Sequence, residues 1–274
     1  MLIRYGYDIT LSCAQDTPMI GMMTLRDERR PDLRFEGAIT TTPSVPVSVY
    51  RDLFGNTCHR FVAPAGQFNL RCDSTIMSSD LPDPVAPGAG QTAIADLPDD
   101  TLIYLLGSRY CETDRLSQLA WDMFGQTQPG WSRVQAICDR VNGHIRFDYM
   151  QARVTRTAYE TWQEGVGVCR DFAHLAIAFC RCMNIPARYV NGYLGDIGIP
   201  VTGPMDFSAS MEVFLDGRWH GFDPRNNARR IGRIVVAYGR DAADVPLIHS
   251  FGPHVLQNFL VWTDQIDETA RQTA

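Results

Sequence analysis

Apolar and polar positions along this chain first alternate over short stretches, then recur at helical spacing, then alternate again. Up to about residue 90, Leu2–Ile9 has strand composition with partial alternation. Further strands are predicted over 19–25, 33–40, 45–52, 59–62 and 68–77, punctuated by Pro, Gly and Asp. Short, turn-bounded strands of this kind predict a small antiparallel sandwich. Residues 81–100 hold Pro82, Pro84, Pro87, Gly88, Gly90 and Pro98, and read as a linker or an extended crossover. The expected division is therefore a β-rich part over 1–90 and a second domain over 91–274.

The period then changes. Leu116, Leu119, Ala120 and Met123 recur at helical spacing. Ser132-Arg133-Val134-Gln135 reads as a capping box before Val134, Ile137, Cys138 and Val141, and Thr157-Ala158-Tyr159-Glu160 repeats that signature. After Gly165 and Gly167 comes Cys169, and from there to about Asn184 the chain is apolar nearly all round, as a buried helix is. Its polar stripe is Arg170, His174 and Arg181, while Cys169, Phe172, Ala176 and Cys180 share another face. Pro186 stops the helix, and alternation resumes over 187–194. Gly195–Pro204 reads as a mobile loop. Residues 206–215 and 218–223 are expected to form a hairpin about Asp216-Gly217, a type I′ turn signal. Further strands are predicted over 231–238 and 255–262, with a frayed polar tail from Asp267.

The chemistry centres on Cys169. At the start of a buried helix, its sulfur faces unpaired N–H groups and the positive end of the helix dipole, a placement that favours a nucleophilic thiolate. The competing reading is a small apolar core residue. The other cysteines, at 58, 72, 111, 138, 180, 182 and 13, form no CxxC pair and no zinc spacing. No metal or other cofactor is expected, and His59 beside Cys58 reads as a strand-end pair. Net charge is −6, and all 25 basic residues are arginine, with no basic block, so nucleic-acid binding is not suggested. With no secretory h-region and no apolar run long enough for a bilayer, a reduced, cytoplasmic protein without membrane association is expected. The oligomeric state is left open.

Gly-Val-Gly-Val-Cys169-Arg-Asp-Phe-Ala-His-Leu, Asn184-Ile-Pro-Ala-Arg-Tyr-Val-Asn-Gly-Tyr193, Ser208-Ala-Ser-Met-Glu-Val213 and Gly221-Phe-Asp-Pro-Arg-Asn-Asn227 together resemble the bacterial transglutaminase-like proteins. The β-rich first part is similar to the domain that precedes this core in many of them. The resemblance implies an α+β fold, a papain-like core of helices on an antiparallel sheet behind a small all-β sandwich. It also implies a thioester at Cys169 with a carboxamide or peptide carbonyl, resolved by water or an amine, on a peptide or protein substrate. By position, Asp223 is the orienting carboxylate. Ser208 stands where the family places the histidine base of a His-Ala-Trp motif, and serine is a weak base.

No other histidine is expected to substitute. His174 lies about 140° around the helix from Cys169. With a two-residue turn, Val213 pairs with His220, which then faces away from Asp223. Two readings stand: cysteine-dependent acyl transfer or hydrolysis with an incomplete triad, or a catalytically impaired module that binds a peptide or protein partner in the cleft. A metal site at Cys169, Asp223 and a histidine lacks ligands at recognisable spacing.

Overall fold

The structure, a computed structural model, describes residues 1–201, 203 and 205–267. Thr202 and Pro204 of the expected mobile loop, and residues 268–274 of the expected tail, lie outside the described residues. The first strands are β1 (Leu2–Cys13), β2 (Thr17–Gly21), β3 (Leu33–Phe35), β4 (Thr40–Thr42), β5 (Ser48–Arg51), β6 (Thr57–Ala63) and β7 (Gly66–Met77). The single strand expected over 33–40 is two short ones, separated by a stretch without ladder hydrogen bonds. Helices α1 (Thr113–Phe124) and α2 (Trp131–His144) follow, then β8 (Arg146–Phe147), α3 (Ala158–Glu164), β9 (Val166–Gly167) and α4 (Cys169–Cys182). The chain continues through β10 (Ala187–Tyr193), β11 (Phe207–Leu215), β12 (Arg218–Phe222), β13 (Ile234–Gly239), β14 (Ile248–Ser250) and β15 (His254–Ile266).

Helix α4 is the buried axis of the second half. Its residues 171–182 are all buried, as the apolar run requires, and it packs on α1, α2, α3, β10 and β11. The sheet beneath it has the order β12-β11-β10-β13. The hairpin forms in the expected register, with Leu215 opposite Arg218 and Val213 opposite His220. Asp216 and Gly217 both have positive φ, 48° and 76°, as a type I′ turn demands. Thr157 caps α3 in a reciprocal box with Glu160.

The box expected at Ser132 does not form. Helix α2 starts two residues earlier, from Gly130 at φ 90°, because the Trp131 N–H donates to the Ala89 carbonyl at 2.9 Å. A tertiary contact with the crossover segment thus sets the helix start. That segment is pinned along its length: Gln91 donates to the Met183 carbonyl, and the Asp216 N–H donates to the Gly90 carbonyl.

The two halves of the sequence are not the two halves of the fold. Strand β15 pairs antiparallel with β1 along its whole length, from Leu2 opposite Ile266 to Cys13 opposite His254. Strand β14 pairs with β2. The first half is accordingly a five-stranded sheet, β15-β1-β7-β3 with β4 also on β7, facing a four-stranded sheet β14-β2-β6-β5. Local composition marks 255–262 as a strand but carries no record of its partner.

The halves share one hydrophobic core. Tyr5 packs edge-on against Tyr193, whose hydroxyl donates to the Met23 carbonyl. Asn56, fully buried, bridges the backbone of β13: its Nδ2 donates to the Tyr238 carbonyl at 2.7 Å, and its Oδ1 accepts from the Tyr238 N–H at 2.9 Å. Asn56→Ala strands both backbone groups and is expected to cost about 2 kcal/mol, read as a lower urea midpoint at unchanged slope.

Candidate functional site around Cys169

Cys169 is the first residue of α4. What holds it there is Asp171, whose carboxylate is fully buried. It accepts from the Val168 N–H at 2.9 Å, closing the helix start, and pairs with Arg156 at 3.2 Å and Arg170 at 3.2 Å. Arg170 in turn ties to the carbonyls of Arg153 and Val154. Of the eight cysteines, all unpaired thiols, seven are buried and Cys169 is partly exposed.

The sulfur borders two cavities. One, of about 210 Å³, is polar: Ser208, Asp206, Tyr149, Arg225, Asn226 and Arg230 line it with Cys169. The other, of about 480 Å³, is more apolar, and Tyr189, Val245, Pro246, Leu247 and Ile248 help line it. Cys169, Asp206 and Phe207 border both. Strand β12 ends at Phe222, opposite Met211, so residues 207–210 of β11 extend beyond it. There the Ala209 N–H faces the sulfur.

The thiol is not the stabilised thiolate that a helix N-terminus alone predicts. Burial pushes its pKa up to about 11, the Ala209 N–H and Arg225 favour the thiolate, and Asp206 and Asp223 oppose it. Desolvation outweighs the helix end.

The structure brings Cys169 and Ser208 together in the polar cavity and leaves Asp223 behind it. The Asp223 carboxylate is occupied. Oδ1 accepts from the Asn226 N–H at 3.0 Å, and Oδ2 accepts from Asn226 Nδ2 at 2.8 Å and from Arg233 at 2.9 Å. Asp223 thus holds the turn that carries Arg225 and Asn226, and no histidine hydrogen-bonds it among the described residues.

None of the six histidines lines either cavity. His174 is buried between Tyr110 and Tyr189, accepts from the Ala242 N–H at 3.1 Å, and is held neutral, its pKa far below the usual range because of burial. His220 lies edge-on to Trp131, His144 stacks on Trp162, and His59 is buried in β6. His249 is in β14, beside Phe251, and His254 starts β15. No group of three His, Cys, Asp or Glu is placed to hold a metal ion among the described residues. No helix among them is long and apolar enough to cross a membrane.

Asp206 is the acid that sequence reasoning passed over. It precedes Ser208 by two residues, which in an extended strand puts both on one side. Its Oδ1 accepts from the Phe207 N–H, and the Tyr149 hydroxyl donates to Oδ2 at 3.4 Å. Burial raises its pKa. A lone aspartate ahead of a strand has no motif to mark it.

Residues 117–224 match the family model of the transglutaminase-like superfamily. The chain carries a transglutaminase-like core. A solved structure from Cytophaga hutchinsonii, described as a proposed cysteine protease, is 29% identical and superposes with a TM-score of 0.85, covering 97% of this chain and 91% of that one. The likeness thus takes in the β-rich part as well as the transglutaminase-like core. Two uncharacterized mycobacterial proteins are similar over shorter stretches. The one from Mycobacterium leprae is 39% identical over 83 residues, 29% of each chain. The one from Mycobacterium tuberculosis is 32% identical over 146 residues, 49% of this chain and 46% of its own. The matched stretch spans less than half of either relative's length.

Two outcomes are expected from this geometry. Asp171→Ala removes the buried partner of Arg156 and the cap of Val168, and should cost about 3 kcal/mol in chemical denaturation. Asp206→Asn removes a charge that opposes the thiolate, so the Cys169 pKa should fall below about 11 and labelling by iodoacetamide at pH 8 should speed up. Mass spectrometry of the labelled peptide reads the rate. Unchanged labelling would place Asp206 electrostatically out of reach of the sulfur.

Proposed function

We propose that the protein is a thiol-dependent hydrolase or acyltransferase acting on an amide or peptide carbonyl. Cys169 is the nucleophile, and Asp206, with Ser208 beside it, takes the place of the missing imidazole. The observation that carries this reading is that one cysteine of eight is not fully buried, and that it stands at a helix start on the border of two cavities. Eight unpaired cysteines support a reducing compartment.

The proton must move as the sulfur attacks, because a thiol with a pKa of about 11 is not ionised at rest. In this reading Asp206, which is desolvated and borders the same two cavities as Cys169, accepts it. The S–C bond forms as the proton leaves sulfur, and the leaving amine takes a proton as the C–N bond breaks. Water or a second amine then resolves the thioester. The raised thiol pKa also favours the second reading, a cleft that binds a peptide without turning it over.

The readings separate with an activated acyl donor. Incubation with p-nitrophenyl acetate should give a burst of p-nitrophenolate and an acetyl group on Cys169, both absent in Cys169→Ala. A burst of equal size in Cys169→Ala would end the catalytic reading and leave the binding one. The pH profile tests the base. A carboxylate base works ionised, so acylation should be present above the Asp206 pKa and be lost as pH falls through it. In Asp206→Asn the neutral-pH plateau should disappear, leaving a rate that climbs only with thiol ionisation. Acylation should therefore slow at pH 7 in the variant whose simple alkylation speeds up.

A further inference from the structure

We infer that the polar cavity beside Cys169 is a carboxylate subsite, so that the substrate carries an anionic group next to the amide that Cys169 attacks. The inference deepens the proposed function and rests on Cys169 being the residue that meets substrate. Four charged side chains line this cavity: Asp196, Asp206, Arg225 and Arg230. Arg230 is buried and its charge is paired, with only Nε left without a partner. It pairs with Asp196 at 3.1 Å and donates to the Gly195 carbonyl and to Asn226 Oδ1. The Asp206 carboxylate accepts from the Phe207 N–H and the Tyr149 hydroxyl.

Arg225 is different. Its guanidinium lies over the Phe147 ring, 4.2 Å from the centroid, and NH1 donates to Asn226 Oδ1 at 3.0 Å. Ring and amide fix its plane, and neither neutralises its charge. Among the described residues it forms no ion pair, although nineteen such pairs bind arginines elsewhere in the chain. A planar, oriented guanidinium with free donors in a partly desolvated cavity is suited to a carboxylate, which it can grip with two parallel hydrogen bonds. Its turn is held from behind by Asp223 and Arg233, so the group is preorganised. The same charge reaches the sulfur, where it favours the thiolate. A bound substrate carboxylate would thus sit within electrostatic range of the thiol, on the side of Ser208.

Two alkylating probes of nearly one size test this. Iodoacetate is an anion and iodoacetamide is neutral, and both transfer a two-carbon group to sulfur with loss of iodide. Their rate ratio at Cys169, read by mass spectrometry and divided by the ratio for glutathione, cancels thiol ionisation and reports recognition of the charge. The expected result is an enrichment of about tenfold for iodoacetate, abolished in Arg225→Gln and partly kept in Arg225→Lys. A ratio equal to that of glutathione, or one unchanged in Arg225→Gln, would overturn the subsite even if Cys169 acylates normally. Should Cys169 react with neither probe, calorimetric titration with glutarate decides. Binding weakened about tenfold in Arg225→Gln would uphold the subsite while the catalytic reading fails, and binding that is absent or equal in both proteins would overturn it.

Discussion

The site depends on one buried carboxylate. Asp171 has no contact with solvent, closes the first turn of α4 through the Val168 N–H, and is held by Arg156 and Arg170. A buried ion pair is poor value for net stability, because desolvation cancels much of the attraction. Its effect here is positional. Arg156 reaches back to Glu164 and the Gln151 carbonyl, and Arg170 reaches the carbonyls of Arg153 and Val154. The irregular segment before α3 and the start of α4 are therefore tied to one point, and Cys169 sits two residues from it.

Position and ionisation part company at this sulfur. A helix N-terminus, the Ala209 N–H and Arg225 all draw the thiol toward its anion, yet burial and two carboxylates hold it neutral. Strand β11 brings Ser208 to the polar cavity, and behind that cavity Asp223 grips Asn226 and Arg233. An acid, Asp206, lines the cavity on the strand side and a cation, Arg225, on the turn side.

Much of this was legible in the sequence wherever the signal is local. The apolar run of α4 cannot be solvated, so burial follows. The Asp216-Gly217 turn and period-two alternation fix the hairpin register, and Val213 pairs with His220 as expected. Thr157 and Glu160 sit at the spacing that a reciprocal cap needs. What was not legible depends on distant partners. Ser132 has capping composition, but the Ala89 carbonyl starts α2 at Trp131. Residues 255–262 have the composition of a strand, and only β1 gives them their place. Asp206 carries no motif, and Arg225 lies within the Gly221–Asn227 motif without any mark of its own; both line the cavity that the fold builds around Cys169.

The pairing of β1 with β15 also bears on how the protein is made. Strand β1 leaves the ribosome before β7 and can zip to it early, along the register from Leu2 opposite Met77 to Cys13 opposite Gly66. Its other edge stays open until residues 254–266 have been synthesised, while the whole transglutaminase-like core emerges in between. A long, apolar, unpaired strand edge invites pairing with another nascent chain. Completion of the first sheet thus waits for residues 254–266, and the interval before it is when this protein is most exposed to misassembly.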